Sequence, residues 1–489
     1  MIARLRSVDP GLYALSAFIA AYVIWFGSAT LNIHHGLGTA SYDSALYDQG
    51  VWLLSRFDAP FVTLMGRNLF GDHSSFILLT LVPLYWLAPG AWILFWSQAA
   101  VIAAGAVPVY LFARSRLRST TVALGFAGAF MVHPAVLGAL YENYHPDSYL
   151  GLFIPLALWA ALERRWGWYA VAVVAALSVK EDVSLVLVPI GIWVMLNRRV
   201  RIGVATVLGS VAFMVVAMFV VMRSLIGVPT RNTWRIPFGG PSGFISTALR
   251  DPTQVIDHLR SDGRLWYLWQ MASPMGLVFL RRPALAAVSA LVLFTNIVST
   301  YWYQYHVQYH YSLVAVPGLV FGTIWAISTF APRGLGGRRM ALAVVFVSSA
   351  VTAWLWSPLP GARSEPAYWP ANHPVAVAAR DAIAQVPDDS SVAAHYRITP
   401  HLAYRTEIYQ FPTPFRVVLY GTDIADEGSR LAARADGVEY LVLQSTMDEQ
   451  AAIDFASIAP AFVEDYANAY WTVWRRDPSV ALPPPVSSP

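Results

Sequence analysis

Arginine clusters separated by long apolar runs constrain this chain more than any other feature. They stand at Arg4 and Arg6, Arg114 to Arg118, Arg164 and Arg165, Arg198 to Arg201, Arg281 and Arg282, and Arg333 to Arg339. A basic loop resists translocation and stays in the cytoplasm, so the clusters mark the inner face of a membrane. Apolar runs between them, near 11 to 32, 91 to 113, 119 to 139, 148 to 163, 167 to 180, 182 to 196, 202 to 223, 265 to 281, 284 to 300, 311 to 331 and 340 to 357, predict about 11 crossings. The expected fold is an α-helical polytopic membrane protein, N-terminus cytoplasmic and C-terminus extracytoplasmic. With 56% hydrophobic and only 13% charged residues, the chain has about half the charge of a soluble protein. One further run, Ser75 to Leu87, would put Arg114 to Arg118 outside if it crossed, so it is expected to be re-entrant or interfacial.

The membrane part takes in 1–357, with a first outer loop at 33–90 and a second at 224–264. After Pro358 the pattern turns to short β-like runs at 391–396, 407–411, 416–420, 438–444 and 470–476, with helical stretches between them, which predicts a small extracytoplasmic α/β domain over 358–478. The proline-rich and serine-rich stretch 479–489 reads as disordered. Charge divides the same way: 24 basic against 13 acidic residues precede Pro358, and 9 against 16 follow it. No basic stripe with interleaved aromatics suggests nucleic-acid binding. With no cysteine, disulfide frameworks, thiolate metal sites and cysteine nucleophiles are excluded.

On this topology the ionisable motifs gather at the outer mouths of the helices. They are Asp43 and Asp48 in YDSALYDQG, Asp72 and His73 in GDHSS, Glu142, His145 and Asp147 in YENYHPD, and Lys180, Glu181 and Asp182 in a charged hairpin tip. Arg231 and Arg235 in the second outer loop and His310 at the start of a helix join them. A solvated loop explains any one of these, but the concentration of acids and imidazoles in a charge-poor chain marks a functional site. Asp43 and Asp48 are five apart and point about 140° away from each other on a helix, so one is a chemical group and the other a cap unless the helix starts between them. Asp72, His73, Glu142 and His145 offer ligands for a divalent cation, or a hydrogen-bonded network of imidazoles oriented by carboxylates. Lys180, the only lysine in the chain, is read as an ion-pair partner of Glu181 or Asp182 or as a phosphate contact.

The motifs YDSALYDQG, RNLFGDHSSF, YENYHPD, SVKEDVSL, QYHYSLVAVP and SVAAHYRITPHLAYRTEIYQFP, taken in order over nearly the whole chain, resemble an uncharacterised bacterial family of polytopic membrane proteins of unknown function. That family is similar in layout to the C-type glycosyltransferases, which join a multi-helix membrane domain, a first outer loop with an acidic catalytic residue and often a C-terminal outer domain. The resemblance implies inverting sugar transfer from a lipid-linked polyprenyl-phosphate donor to a cell-envelope acceptor, on the extracytoplasmic face and among membrane lipids. The first loop here departs from the pattern in lacking an adjacent pair of acids.

On that reading Asp48 is the expected base, with Asp43 as its substitute. Lys180, an outer-loop arginine such as Arg231, or a bound cation would meet the charge gathering on the leaving phosphate, and Glu181, Asp182, Arg235 and His310 complete the substrate-binding set. A transporter or lipid flippase would need ionisable steps down to the inner face, where these helices offer only arginines, and no internal repeat is evident. A non-enzymatic envelope scaffold would have no use for the polar cluster.

Overall fold

A computed structural model describes residues 9–230, 232–330, 335–419 and 426–484. Arg231, the cluster residue Arg333 and residues 485–489 of the expected disordered tail lie outside them. Among the described residues five helices are long and apolar enough to cross a membrane: α1 (Pro10–His35), Ala91–Leu117, Val200–Ile226, His310–Ser328 and Gly336–Trp356. A sixth span is the bent pair Thr120–Met131 and Pro134–Glu142, which turns by 45°. The bend falls where Pro134 opens a new helix and the His133 ring accepts a hydrogen bond from the Ala135 N–H. The remaining expected crossings fold as shorter apolar helices, Pro146–Leu162, Trp166–Leu177, Ser184–Asn197 and Ala286–Val298. The run at 265–281 is not one helix: it breaks after Ala272 at Ser273 and Pro274, with Gly276 and Leu277 left-handed.

Capping and ion pairs explain how the ends are placed. Asp9 caps α1, accepting from the Gly11 N–H ahead of Pro10 at the first helical position. The same carboxylate takes Arg114 Nε at 3.1 Å from the far end of Ala91–Leu117. The two helices are therefore antiparallel, and the segment joining them begins and ends on one side. Phe76–Leu87, a short apolar helix in that segment, does not cross. Arg116 pairs with Glu163 at 3.3 Å, Arg338 donates to the Leu117 carbonyl at 2.7 Å, and Arg116 and Arg198 both lie over the Trp325 ring. Arginines from three of the sequence clusters thus meet at one end of the bundle.

At the other end, β1 (Phe61–Val62) and β2 (Arg67–Asn68) form a small antiparallel hairpin in the first loop. The C-terminal part holds a five-stranded mixed sheet of β3 (Val392–Ala394), β4 (Ile408–Gln410), β5 (Tyr440–Gln444), β6 (Phe462–Ala467) and β7 (Trp471–Arg476), in the order β4-β3-β5-β7-β6. β3 runs parallel to β4 and β5, and the other pairings are antiparallel. Strand alternation gives the sheet two apolar faces. Val392, Ala394, Ile408 and Val442 join the core that continues into the membrane helices, whereas Ala393, Tyr409, Leu441 and Leu443 pack a second core beneath Phe411, Phe415 and Ile458.

The sheet is keyed to the first loop as well as packed on it. Thr63 donates to the Ile408 carbonyl at 2.6 Å and accepts its N–H at 3.0 Å, and the Gln49 amide donates to the carbonyls of Arg405 and Thr406.

Candidate functional site

Asp43 sits in the turn Ser41–Ala45, immediately before helix α2 (Leu46–Ser55), so a new helix does start between the two aspartates. Its backbone has φ 66° and ψ −80°, a conformation that costs a non-glycine residue about 1–3 kcal/mol and persists only where neighbours enforce it. The neighbours are two serines. Ser41 Oγ lies 2.7 Å from Thr399 Oγ1, and Ser44 Oγ donates to Asn143 at 2.9 Å while accepting the Tyr144 N–H. The turn is pinned to the C-terminal sheet on one side and to the YENYHPD loop on the other. The Asp43 side chain donates or accepts no cap to α2 and lines a cavity of about 290 Å³.

Arg67, Asp72, His73, Glu142, His145, Arg235 and His310 share that cavity's wall with Asp43. Arg67 enters from β2 and its Nε stands 3.2 Å from Asp72 Oδ1. His73 donates through Nδ1 to Glu181 at 2.8 Å, and the other Glu181 oxygen accepts the Ser74 N–H. Glu142 accepts both the backbone N–H and the ring Nδ1 of His310. Arg235 is stacked over Tyr301 at 4.3 Å, so its charge is presented from an aromatic platform.

Burial, opposed by His145 and reinforced by Glu142, pushes the Asp43 carboxyl up to about 6. Asp72 goes the other way: burial is outweighed by His73, Arg67 and Lys180, and its carboxyl is held low. Burial and Lys180 press the His73 imidazole down, but Glu181 and Asp72 overcome them and raise it, favouring its charged form.

Asp48 is not with them. It is 2% exposed, lies outside the cavity and accepts hydrogen bonds from Tyr85 at 2.5 Å and Tyr404 at 3.0 Å. Burial, partly offset by these two hydroxyls, pushes its carboxyl up to about 7. Of the two aspartates it is thus Asp43, the expected substitute, and not Asp48, the expected base, that lines the cavity. Lys180 also stands behind the cavity wall, 3% exposed, 3.9 Å from Asp147 and 3.6 Å from Asp182. Of its two expected roles, the ion pair is the one this geometry serves. Asp182 faces a separate small cavity.

The four groups expected as cation ligands do not converge, because Asp72 and His73 turn to Arg67 and Glu181 while Glu142 holds His310. His145, Asp147 and His310 do bring ligand atoms within 4.8 Å of one another. The two rings, however, stack at 3.6 Å with planes 10° apart. An imidazole lone pair lies in its ring plane, so parallel rings cannot both aim at one ion as they stand. His145 Nδ1 instead lies 2.5 Å from Asp147 Oδ2, and its Nε2 3.2 Å from the Tyr47 hydroxyl.

Sequence reasoning passed over Arg67. The signal was present, since it is the sole arginine between Arg56 and Arg114 and stands next to the GDHSS motif.

No curated protein matches the chain. Among solved structures, ArnT from Cupriavidus metallidurans in the apo state aligns with TM-score 0.56 at 13% identity, covering 97% of this chain and 100% of that one. ArnT bound to undecaprenyl phosphate aligns with TM-score 0.53, also at 13% identity, over 94% and 97%. The chain thus shares its fold with ArnT. A model of the family described as "Predicted membrane protein (DUF2079)" matches residues 33–475, and the chain belongs to that family.

Proposed function

We propose that the protein moves a sugar from a polyprenyl-phosphate donor to an acceptor hydroxyl on the extracytoplasmic face, with inversion at the anomeric carbon. The observation that carries this reading is Asp43: an acid of raised pKa, held in an enforced turn, on the wall of a cavity that is also lined by Arg67, Arg235 and His73. The acceptor oxygen attacks the anomeric carbon as Asp43 takes its proton, the bond from that carbon to the phosphate oxygen breaks, and the lipid phosphate leaves with a second negative charge. The arginines and His73 meet that charge as it forms, an interaction typically worth about 2.7–4 kcal/mol when it acts mainly on the transition state. That an ArnT of the same fold is bound to undecaprenyl phosphate supports a lipid phosphate as the leaving group.

The arginine-rich end of the bundle is cytoplasmic on this reading, and the cavity and the sheet face outward. The shorter apolar helices, together with the broken 265–281 run as one further pass, complete the crossings as partners of the longer ones, giving the layout of about 11 passes. Residues 358–478 then form the outer domain that faces the acceptor.

The test is transfer by the full-length protein in lipid nanodiscs from a panel of polyprenyl-phosphate monosaccharides. Asp43→Asn is expected to abolish product while leaving binding of undecaprenyl phosphate intact. Full activity in that variant would overturn the assignment of the base.

A further inference from the structure

We infer that the acceptor is an extended glycan, held in a groove that runs from the Asp43 cavity to the far end of the C-terminal sheet. The inference deepens the transfer reading and rests on it for the word acceptor. Its ground is continuity of cavities. The Asp43 cavity shares Glu142, Asn143 and Tyr309 with a second of about 270 Å³. The second shares Gly38 and Tyr368 with a third, also about 270 Å³. The third touches the first at Ala40 and meets a fourth, about 260 Å³, at Tyr396. Each alone falls just short of the roughly 300 Å³ at which ordinary ligand pockets begin. Such a string suits a molecule built of small repeated units.

The fourth cavity lies beyond the carboxyl ends of the parallel strands β4, β3 and β5, where Gln410, His395 and Gln444 line it. Ligands of α/β sheets bind in this position. Tyr368 and Tyr396 stand 37% and 40% exposed at the junctions, where their rings are open to a ligand. A pyranose or furanose ring offers an apolar C–H face to an aromatic ring, and its hydroxyls both donate and accept, as carboxamides do. Gln410, Gln444 and Gln450 supply such groups in the fourth cavity, and Asn143 lines the first two. Arg397, stacked over Trp369 at 4.9 Å and donating to the Tyr396 hydroxyl at 3.0 Å, braces the middle of the path.

Other occupants fit less well. A lipid tail would need an uninterrupted apolar lining, and polar side chains interrupt this one at every station. A peptide added as a strand would use an edge of the sheet, and the edges are β4 and β6, whereas the groove passes over strand ends.

The experiment measures binding without turnover. Envelope glycans of the host, released by mild acid and sorted by length, are titrated against the purified full-length protein. Affinity is expected to climb from the monosaccharide fraction to fractions of several units. Tyr368→Ala and Tyr396→Ala are each expected to weaken the longer fractions about tenfold while leaving the monosaccharide fraction unchanged. Tyr368→Phe and Tyr396→Phe keep the ring and are expected to retain binding, which separates loss of the platform from misfolding. The titration reads binding without turnover, so an error about the base leaves this result untouched. Equal affinity for all lengths, or tyrosine-to-alanine variants that bind as the parent does, would overturn the inference.

Discussion

Ser41 Oγ and Thr399 Oγ1 lie 2.7 Å apart across 358 positions of sequence, and this contact ties the turn carrying Asp43 to the C-terminal sheet. Ser41 also donates to the Tyr396 carbonyl at 3.2 Å, so the turn is held at a junction of the groove. Removing either hydroxyl should let the Asp43 backbone relax from its left-handed conformation. Ser41→Ala and Thr399→Ala are each expected to lower the transfer rate about tenfold, roughly 1.4 kcal/mol in the barrier. The double variant should lose little more than either single one, because both delete the same contact. Full additivity in a double-mutant cycle would show that the two hydroxyls act separately.

A raised Asp43 carboxyl sets the acid limb of the rate profile. A base must be ionised to work, so the rate is expected to fall as pH drops through about 6, well above the ordinary aspartate value near 3.9. The measurement is the pH dependence of kcat/KM, which reports the free protein. An acid limb near 4 would mean that the buried environment is absent in the working molecule.

Asp48 gives a stability signature rather than a kinetic one. Its carboxyl is raised to about 7 by burial, so the folded protein holds that proton more tightly than the unfolded chain. This contribution is present in full below about pH 4 and is lost as pH rises toward and through about 7. Asp48→Asn should therefore keep transfer activity and flatten the decline in thermal midpoint between pH 5 and pH 8. A variant whose midpoint follows the parent's pH dependence unchanged would contradict the buried placement.

Lys180 separates a structural charge from a ligand contact. Lys180→Met leaves the buried Asp147 without its lysine partner, and removal of one partner from a buried pair typically costs about 3–5 kcal/mol. Low yields of folded, monodisperse protein in detergent are expected, with substantial recovery when Asp147→Asn is added. If the single variant is as stable as the parent and only its donor affinity drops, Lys180 faces the phosphate after all.

Much of the architecture is legible along the chain because membranes impose simple rules. Apolar length and arginine placement identify helices that do form, and Arg116, Arg198 and Arg338 do meet at one end. The 265–281 run misleads because hydropathy ignores the break that Pro274 and Gly276 impose. In the sheet, β6 reads FVEDYA and hides behind its charged residues, whereas the 416–420 run has strand composition but its described residues, 416–419, join no ladder.

The site is legible as a set and not as an assignment. YDSALYDQG offers two aspartates, and nothing in their spacing tells which faces the cavity. That choice depends on a turn enforced by Thr399 and Asn143, whose positions only the fold reveals. Arg67 is hidden for a similar reason, since its meeting with Asp72 depends on the β1–β2 hairpin.

The two-faced sheet has a practical corollary for anyone dissecting this molecule. Cutting the chain after Ser357 would strip Val392, Ile408 and Val442 from their apolar neighbours and leave Thr63 and Gln49 with no backbone to bind. Neither half would be a finished object. A fragment made for solubility would bring a sticky underside into water, and a truncated membrane part would lose the brace that sets the angle of its own acid.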